Sequence, residues 1–520
     1  GYSDYTPISM SSVPALLRSG FVKIDVALIQ TSPPDAHGCL SLGVSIDMVK
    51  AATENASLII AQVNSNMPRT HGDGFIHIKD VNYIIPHDEP LLEIQGTLSS
   101  ETARRIGQYV SRLVQDGDTI QVGFGILPNE TMTHLSNKKH LGVHTELLSD
   151  GLVNLIKLGV IDNSRKKLNR GKTIASFCMG KKETYEYIHD NPSITFRTID
   201  YTNDPLVIAQ EDNMVAINSA LEIDLTGQAT SESIGGTFYS GIGGHQDFMR
   251  GAVMARNGRS ILTLQSTARG GEVSRIVPSL SESAGVTLNR SDVRYVVTEY
   301  GIAYLHGKTI RERAMELIAI AHPKFRSWLI EEAKKLSLIY KDQAFFPGKK
   351  GEYPEHLETH RTTKAGVGVF LRPVKISDES ILKDFFYALS DKSLYQRFLT
   401  IRRHMPHEEL QKHFVVIDYT REMIILAVKR YLGHEVIAGV AQYCIDESAL
   451  SAETSIVVRD DFQKKGIGFE LLSYLVYVAQ KQGLHIFQAN VMPVNQAVLR
   501  LIEKLGLRTE KKWDGGIFNI

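Results

Sequence analysis

Between about residue 20 and residue 345, short β-branched runs alternate with stretches of helical period, and this limits the possible fold more than any other feature. Residues 57–63 are β-rich and 119–123 read as a short strand. Between them Ile106, Val110 and Leu113 recur at helical spacing within 101–115. Residues 172–178, 260–264 and 293–298 read as further strands. Residues 308–321 and 323–336 read as helices, the second with Pro323 in its first turn. Strands separated by helices predict an α/β fold of open, mostly parallel sheets flanked by crossover helices.

Within this region residues 213–227 carry the sharpest chemical signal. Read as one strand of period two, Val215, Ile217, Leu221 and Ile223 take one face. Ala216, Asn218, Ala220, Glu222 and Asp224 take the other. That second face is small and neutral until Glu222, which leaves room beside the carboxylate for a ligand. Gly235–Gly236 and then Gly241, Gly243 and Gly244 follow, where backbone N–H groups can approach a ligand. A carboxylate near free amide donors is the apparatus of acyl transfer through a covalent glutamyl intermediate. Asp224, on the same face, would raise the pKa of Glu222.

Two more glycine turns mark ligand-sized approaches. Gly123 and Gly125 lie between a strand and a helix opening near Asn129, so a ligand could meet a helix N-terminus there. A turn that merely needs glycine to reverse is an equal reading. Gly301 lies in the turn 298–308 at the carboxyl end of a strand, where ligands collect in open α/β sheets. In the same turn, Glu299 reads as a cap, or as a partner for Lys308 or Arg311.

With these residues in view, the first ~345 positions resemble the acetyl-CoA hydrolase/transferase family of class I CoA-transferases, in particular its 4-hydroxybutyrate CoA-transferase branch. The matching segments are 32–38 with 41–43, 67–72, 122–128, 217–228, 241–248 and 297–307. The resemblance implies a two-domain class I CoA-transferase fold, with domains over 1–205 and 206–345. It maps the acyl-accepting glutamate onto Glu222, an oxyanion-hole amide onto Gly301, and coenzyme A along Gly243–Gly244, with Gly123 and Gly125 nearby. Ser231-Glu232-Ser-Ile-Gly235 is similar to the segment bearing the nucleophile in other class I CoA-transferases, so Glu232 rivals Glu222. The implied reaction moves CoA from a short-chain acyl-CoA to a carboxylate through glutamyl anhydride and glutamyl-CoA thioester. Hydrolysis is the alternative where water reaches the anhydride.

Residues 346–366 are polar, rich in Pro, Gly and His, and without period, as a linker would be. A new unit over 367–520 follows. In it a β-branched run ending at Val458 leads into Gln463-Lys464-Lys465-Gly466-Ile467-Gly468 and a helix striped with Leu471, Leu472, Leu475 and Val478. Such a turn at a helix N-terminus makes a pyrophosphate cradle. The pattern, with Asn495 opening a later helix, resembles the GNAT acetyltransferases, which implies a GNAT α/β domain with a mixed sheet and an acetyl-CoA site along 463–468. Similarity to the GNAT modules of bacterial protein-lysine acetyltransferases implies Glu453 as general base and protein lysines as acceptors. An exposed strand residue is an equal reading of Glu453, and an acetyl-CoA sensor an alternative reading of the module.

Composition narrows the partners. Lys+Arg and Asp+Glu both number 58, so no global field attracts nucleic acid or an anionic membrane. Cys39, Cys178 and Cys444 lack CxxC spacing, and the 18 histidines form no HExxH pattern. No metal is therefore expected, and the resemblances imply CoA thioesters as substrates. No run of membrane-spanning length is present, and a reduced cytoplasmic setting is the expectation; the family resemblance implies a homodimer. The first residue is not Met, as if upstream residues were missing, and 513–520 lie where a GNAT fold would still be building its last strand.

Overall fold

The computed structural model describes residues 4–94, 99–346, 348–399, 404–431, 434–445 and 451–520. The chain divides into two units, 1–322 and 323–520. In the first, β1 (Ile24–Thr31), β2 (Ala56–Val63) and β3 (Tyr83–Pro86) form a parallel sheet with β2 central. Ala27, Ile29, Ile59 and Ala61 are buried on one face. The other face presents Val26, Leu28, Tyr83 and Ile85 to solvent, 47%, 77%, 61% and 52% exposed.

The site is built on a second, larger sheet. Its elements are α1 (Glu101–Leu113), β4 (Thr119–Val122), α2 (Ile126–Thr133), β5 (Gly142–Val143), β6 (Met214–Ser219), β7 (Glu222–Asp224), α3 (His245–Met254), β8 (Arg259–Thr263), β9 (Tyr295–Thr298), β10 (Gly301–Tyr304) and α4 (Ile310–Ala319). Strand order is β10–β9–β8–β6–β4–β5; only β10 runs antiparallel to its neighbour. β7 lies outside this sheet. Local signals fix the helices. The Ser100 side chain accepts from Ala103 N at the start of α1, and Thr309 with Glu312 forms a capping box on α4. Ala103, Ile106, Tyr109 and Val110 give α1 its buried stripe.

Two expected strands divide. β6 is central in a parallel sheet, so both its faces are buried, with Val215, Ala216 and Ile217 all at 0% exposure. The chain then turns at Ala220, and β7 joins a different sheet with Ala229–Thr230 and Ile276–Val277. Glu222 and Asn218 therefore do not share a sheet face. Residues 172–178 likewise form two strands, Thr173–Ala175 and Phe177–Met179, paired to different partners.

The second unit contains α5 (Pro323–Lys335), β11 (Thr359–Thr362), β12 (Gly368–Pro373), α6 (Asp391–Phe398), β13 (Glu422–Tyr431), β14 (His434–Ile445), β15 (Ser451–Val458), α7 (Ile467–Lys481), β16 (Ile486–Gln488) and α8 (Gln496–Lys504). Strands β11 to β16 lie in sequence order, antiparallel as far as β15, with β16 parallel to it. β11 falls within the expected linker 346–366 yet is an edge strand of this sheet. Strand β13 is apolar on both faces: Met423, Ile425 and Ala427 pack with Leu471 and Leu475 of α7, while Ile424, Leu426 and Val428 pack with Phe385, Phe386 and Phe414. Pairing of β15 with β16 spans only Ser451–Glu453, so beyond Glu453 the two strands part. Lys512–Asp514 and Ile517–Asn519 form a closing hairpin paired to Asn490–Val491.

Candidate functional site

Strands β5, β4, β6, β8 and β9 run parallel, so their carboxyl ends meet along one edge of the sheet, the place where α/β sheets hold ligands. Three residues past β5, Glu146 extends its carboxylate to the amino end of α3. Asn203 Nδ2 donates to Glu146 Oε2 at 2.5 Å. Gly244 is the N-cap of α3, and a Cβ on it would stand 1.6 Å from Glu146 Oε2 and 2.1 Å from Asn203 Nδ2. Absence of a side chain at 244 is thus a condition for this approach, and the unpaired first-turn N–H groups of α3 lie at hand. Burial pushes the Glu146 carboxyl above its ordinary value, with Asp247 and Asp47 adding repulsion against the Asn203 hydrogen bond. Asp247, buried in the first turn of α3 and accepting from Ser11 N at 3.1 Å, is pushed up by burial to about 6. Burial lowers the His245 ring to about 4, and its Nε2 has no hydrogen-bond partner. Gly243, expected beside the ligand, has φ +69°, and its carbonyl accepts from Met10 N at 3.3 Å.

Gly123 and Gly125 lie past the end of β4. A Cβ on Gly123 would stand 2.6 Å from Asn218 Oδ1, which is held by a reciprocal amide pair with Gln121. Gly125, at φ +127°, is the N-cap of α2.

The carboxylates favoured from sequence are differently placed. Glu222 is 6% exposed and accepts from Ser281 Oγ at 2.8 Å, near the Arg275 guanidinium. It is enclosed, and the Ser281 backbone N–H also points at it, 3.4 Å from Oε2. Glu232 is equally buried, bound by Tyr5 OH at 2.9 Å and Thr287 Oγ1 at 3.4 Å. Gly301, at φ +136°, opens β10 after a tight hairpin. In that hairpin Glu299 accepts from Ser266 N and Oγ at 2.9 and 2.5 Å, a capping role expected from its sequence, while Lys308 pairs with Glu316. Sequence reasoning passed over Glu146 because β5, only two residues long, has no period to detect.

In the second unit a cleft of about 750 Å³ lies between the end of β15, the amino end of α7 and α8; Glu453 is not among its lining residues. Val458, Gln463, Lys464, Gly466, Gly468 and Asn495, all expected at a cofactor, line it. Lys465 is not among the lining residues; its Nζ donates to Asp461 O at 2.7 Å and is drawn away. Gln463 Nε2 donates to Val458 O at 3.0 Å, tying the loop to the strand end. Gly466 is left-handed at φ +85°, which lets the chain enter α7. Asn495 caps α8, accepting from Val498 N at 3.3 Å. Glu453 stands exposed at the point where the strands part. Arg397 of α6 also lines the cleft; burial lowers its guanidinium to about 10, against the attraction of Glu453. Sequence reading did not single out Arg397.

Among the described residues no cluster of three or more His, Cys, Asp or Glu could hold a metal, and no helix is long and apolar enough to cross a membrane.

Comparison with known proteins covers both units. Residues 1–94 match the acetyl-CoA hydrolase/transferase N-terminal domain, 180–333 its C-terminal domain, and 390–507 the acetyltransferase (GNAT) family. The 4-hydroxybutyrate coenzyme A transferase of Clostridium kluyveri is 49% identical over 335 residues, 64% of this chain and 78% of that protein. The butyryl-CoA:acetate CoA-transferase of Anaerostipes caccae is 38% identical, over 65% and 78%. The crystal structure of RipA from Yersinia pestis is similar with a TM-score of 0.63 at 43% identity, covering 65% of this chain and 77% of that one.

Proposed function

The chain belongs to the acetyl-CoA hydrolase/transferase family, and from that premise we propose that it transfers coenzyme A from a short-chain acyl-CoA to a free carboxylate, with Glu146 as the acyl acceptor. One observation carries the assignment: the Glu146 carboxylate lies against the side-chain-free Gly244 at the amino end of α3. The enclosure of Glu222, the acceptor favoured from sequence, argues against that residue.

Ionised Glu146 attacks the thioester carbonyl, while amides at the amino end of α3 stabilise the oxyanion. The C–S bond breaks and coenzyme A leaves as thiolate, giving a mixed anhydride. Thiolate then attacks the glutamyl carbonyl, releasing the first acid and leaving a glutamyl-CoA thioester. An incoming carboxylate attacks that thioester to form a second anhydride, and thiolate attack on its acyl carbonyl yields the new acyl-CoA and free Glu146. Thioester energy is conserved at each step. The A. caccae and C. kluyveri relatives, by their names, act on short-chain acids, which supports that substrate class here.

For the second unit we propose acetyl-CoA binding along 463–468, with Glu453 as general base toward an amine, protein lysine included. The cleft lined by Val458, Gln463, Lys464, Gly466, Gly468 and Asn495 supports the binding half of this reading. Borohydride reduction after incubation with acyl-CoA, followed by peptide mass spectrometry, tests the first activity. A reduced residue at 146 is expected; a label at 222 or 232, or none, overturns the assignment. Release of free acid without an added acceptor would mark the protein as a hydrolase instead.

A further inference from the structure

The cleft of the second unit is lined by five cations, Lys364, Arg397, Lys464, Arg500 and Lys504, against one carboxylate, Glu470. Arg397 feels the attraction of Glu453. Lys464 belongs to the glycine loop itself. Three cations remain unaccounted for by an acetyl-pyrophosphate ligand, and all three line this one cleft. Arg500 and Lys504 stand one turn apart on α8, on the stripe with Ala497 and Leu501 that faces the cleft. Lys364 follows Thr363, whose Cβ would lie 3.0 Å from a Cβ on Gly466, so its turn sits directly over the loop. Among the described residues none of the three has a carboxylate within ion-pair distance.

We propose that Lys364, Arg500 and Lys504 form a subsite for a phosphomonoester, the 3′-phosphate of coenzyme A, beside the pyrophosphate loop. This rests on the reading of the cleft as an acetyl-CoA site. The pyrophosphate carries two charges, which the loop amides and Lys464 meet. A phosphomonoester adds ~2 more at pH 7, and a cluster of three cations supplies their counterpart. The subsite makes the unit selective for coenzyme A thioesters over dephosphorylated ones and makes its affinity fall with salt.

Hydrogen exchange of the full chain, followed by mass spectrometry on peptides covering 463–472, reads this cleft alone and is blind to coenzyme A bound in the first unit. Protection titrated with acetyl-CoA should set in at about tenfold lower concentration than with acetyl-dephospho-CoA. In the double variant Arg500→Ala/Lys504→Ala the two curves should coincide at the acetyl-dephospho-CoA position of the unaltered protein. Equal affinity for both ligands in the unaltered protein, or a tenfold preference that survives in the variant, overturns the subsite. Failure of acetyl-CoA to protect the peptides removes the acetyl-CoA reading itself, and the subsite with it.

Discussion

The carboxylate of Glu146 fills the space that a side chain at position 244 would need, 1.6 Å from where the Cβ of any residue other than glycine would stand. Gly244 has φ −92° and ψ −3°, open to every amino acid, so glycine is required here by the neighbouring acid and not by the backbone.

Gly244→Ala should therefore fold yet lose catalysis. The methyl group drives Glu146 and Asn203 off their positions, and displacement by about 1 Å costs roughly 100-fold in kcat. Steady-state transfer of CoA between butyrate and acetate, beside a thermal melt, separates the two effects. A variant with unchanged kcat would show that the Glu146–Gly244 approach has no part in the reaction.

Glu146→Gln and Glu222→Gln should part company. The first removes the acyl acceptor and abolishes exchange of labelled CoA into acyl-CoA. The second leaves the rate within about tenfold of the original but weakens the hydrogen bond from Ser281 Oγ, at about 1 kcal/mol of stability. Exchange kinetics and denaturant midpoints on both variants give the comparison.

The acid limb of the pH–rate profile should sit above the ordinary glutamate range, because burial raises Glu146 and only its ionised form attacks. Asp247→Asn removes one repelling charge, so that limb should move to lower pH. Stability should respond as well. Asp247 in the folded chain stands at about 6 against an ordinary 3.8, so folding favours its protonated form. Its unfavourable contribution is absent below about pH 4, grows as pH rises through about 6, and is complete above that. Asp247→Asn should accordingly stabilise by on the order of 2 kcal/mol at pH 8 and by little at pH 4, as read from denaturant melts.

In the second unit, Glu453→Gln should leave acetyl-CoA binding unchanged and lower acetyl transfer to lysine peptides by 10²–10⁴-fold, the usual contribution of a general base. Calorimetric titration alongside a transfer assay checks both halves. Transfer at the original rate would leave Glu453 as a strand residue without a role in proton removal.

The alternation of strand and helix over 20–345 was legible because each run is long enough to show its period: the expected strand 119–123 is Thr119–Val122, and the expected helix 323–336 is Pro323–Lys335. The glycine loops were legible for a local reason, since Gly125, Gly243 and Gly466 adopt positive φ. Failure came where geometry is decided at long range. The alternation of residues 213–227 continues unbroken across the turn at Ala220, so nothing local reveals that Glu222 leaves the sheet of Asn218. Glu146 meets Gly244 across 98 residues of sequence, through a two-residue strand whose place is set by its neighbour β4. A carboxylate three residues past such a strand is recognisable only once strand order is known.

The uncovered face formed by Val26, Leu28, Tyr83 and Ile85 has a practical consequence for handling the protein in dilute buffer. A flat aliphatic plane with an aromatic rim binds hydrophobic dyes and sticks to its own kind. Native samples should brighten such dyes before any melting begins, and sedimentation should drift with concentration unless mild detergent is added. Leu28→Lys would quench both behaviours while leaving thioester exchange intact.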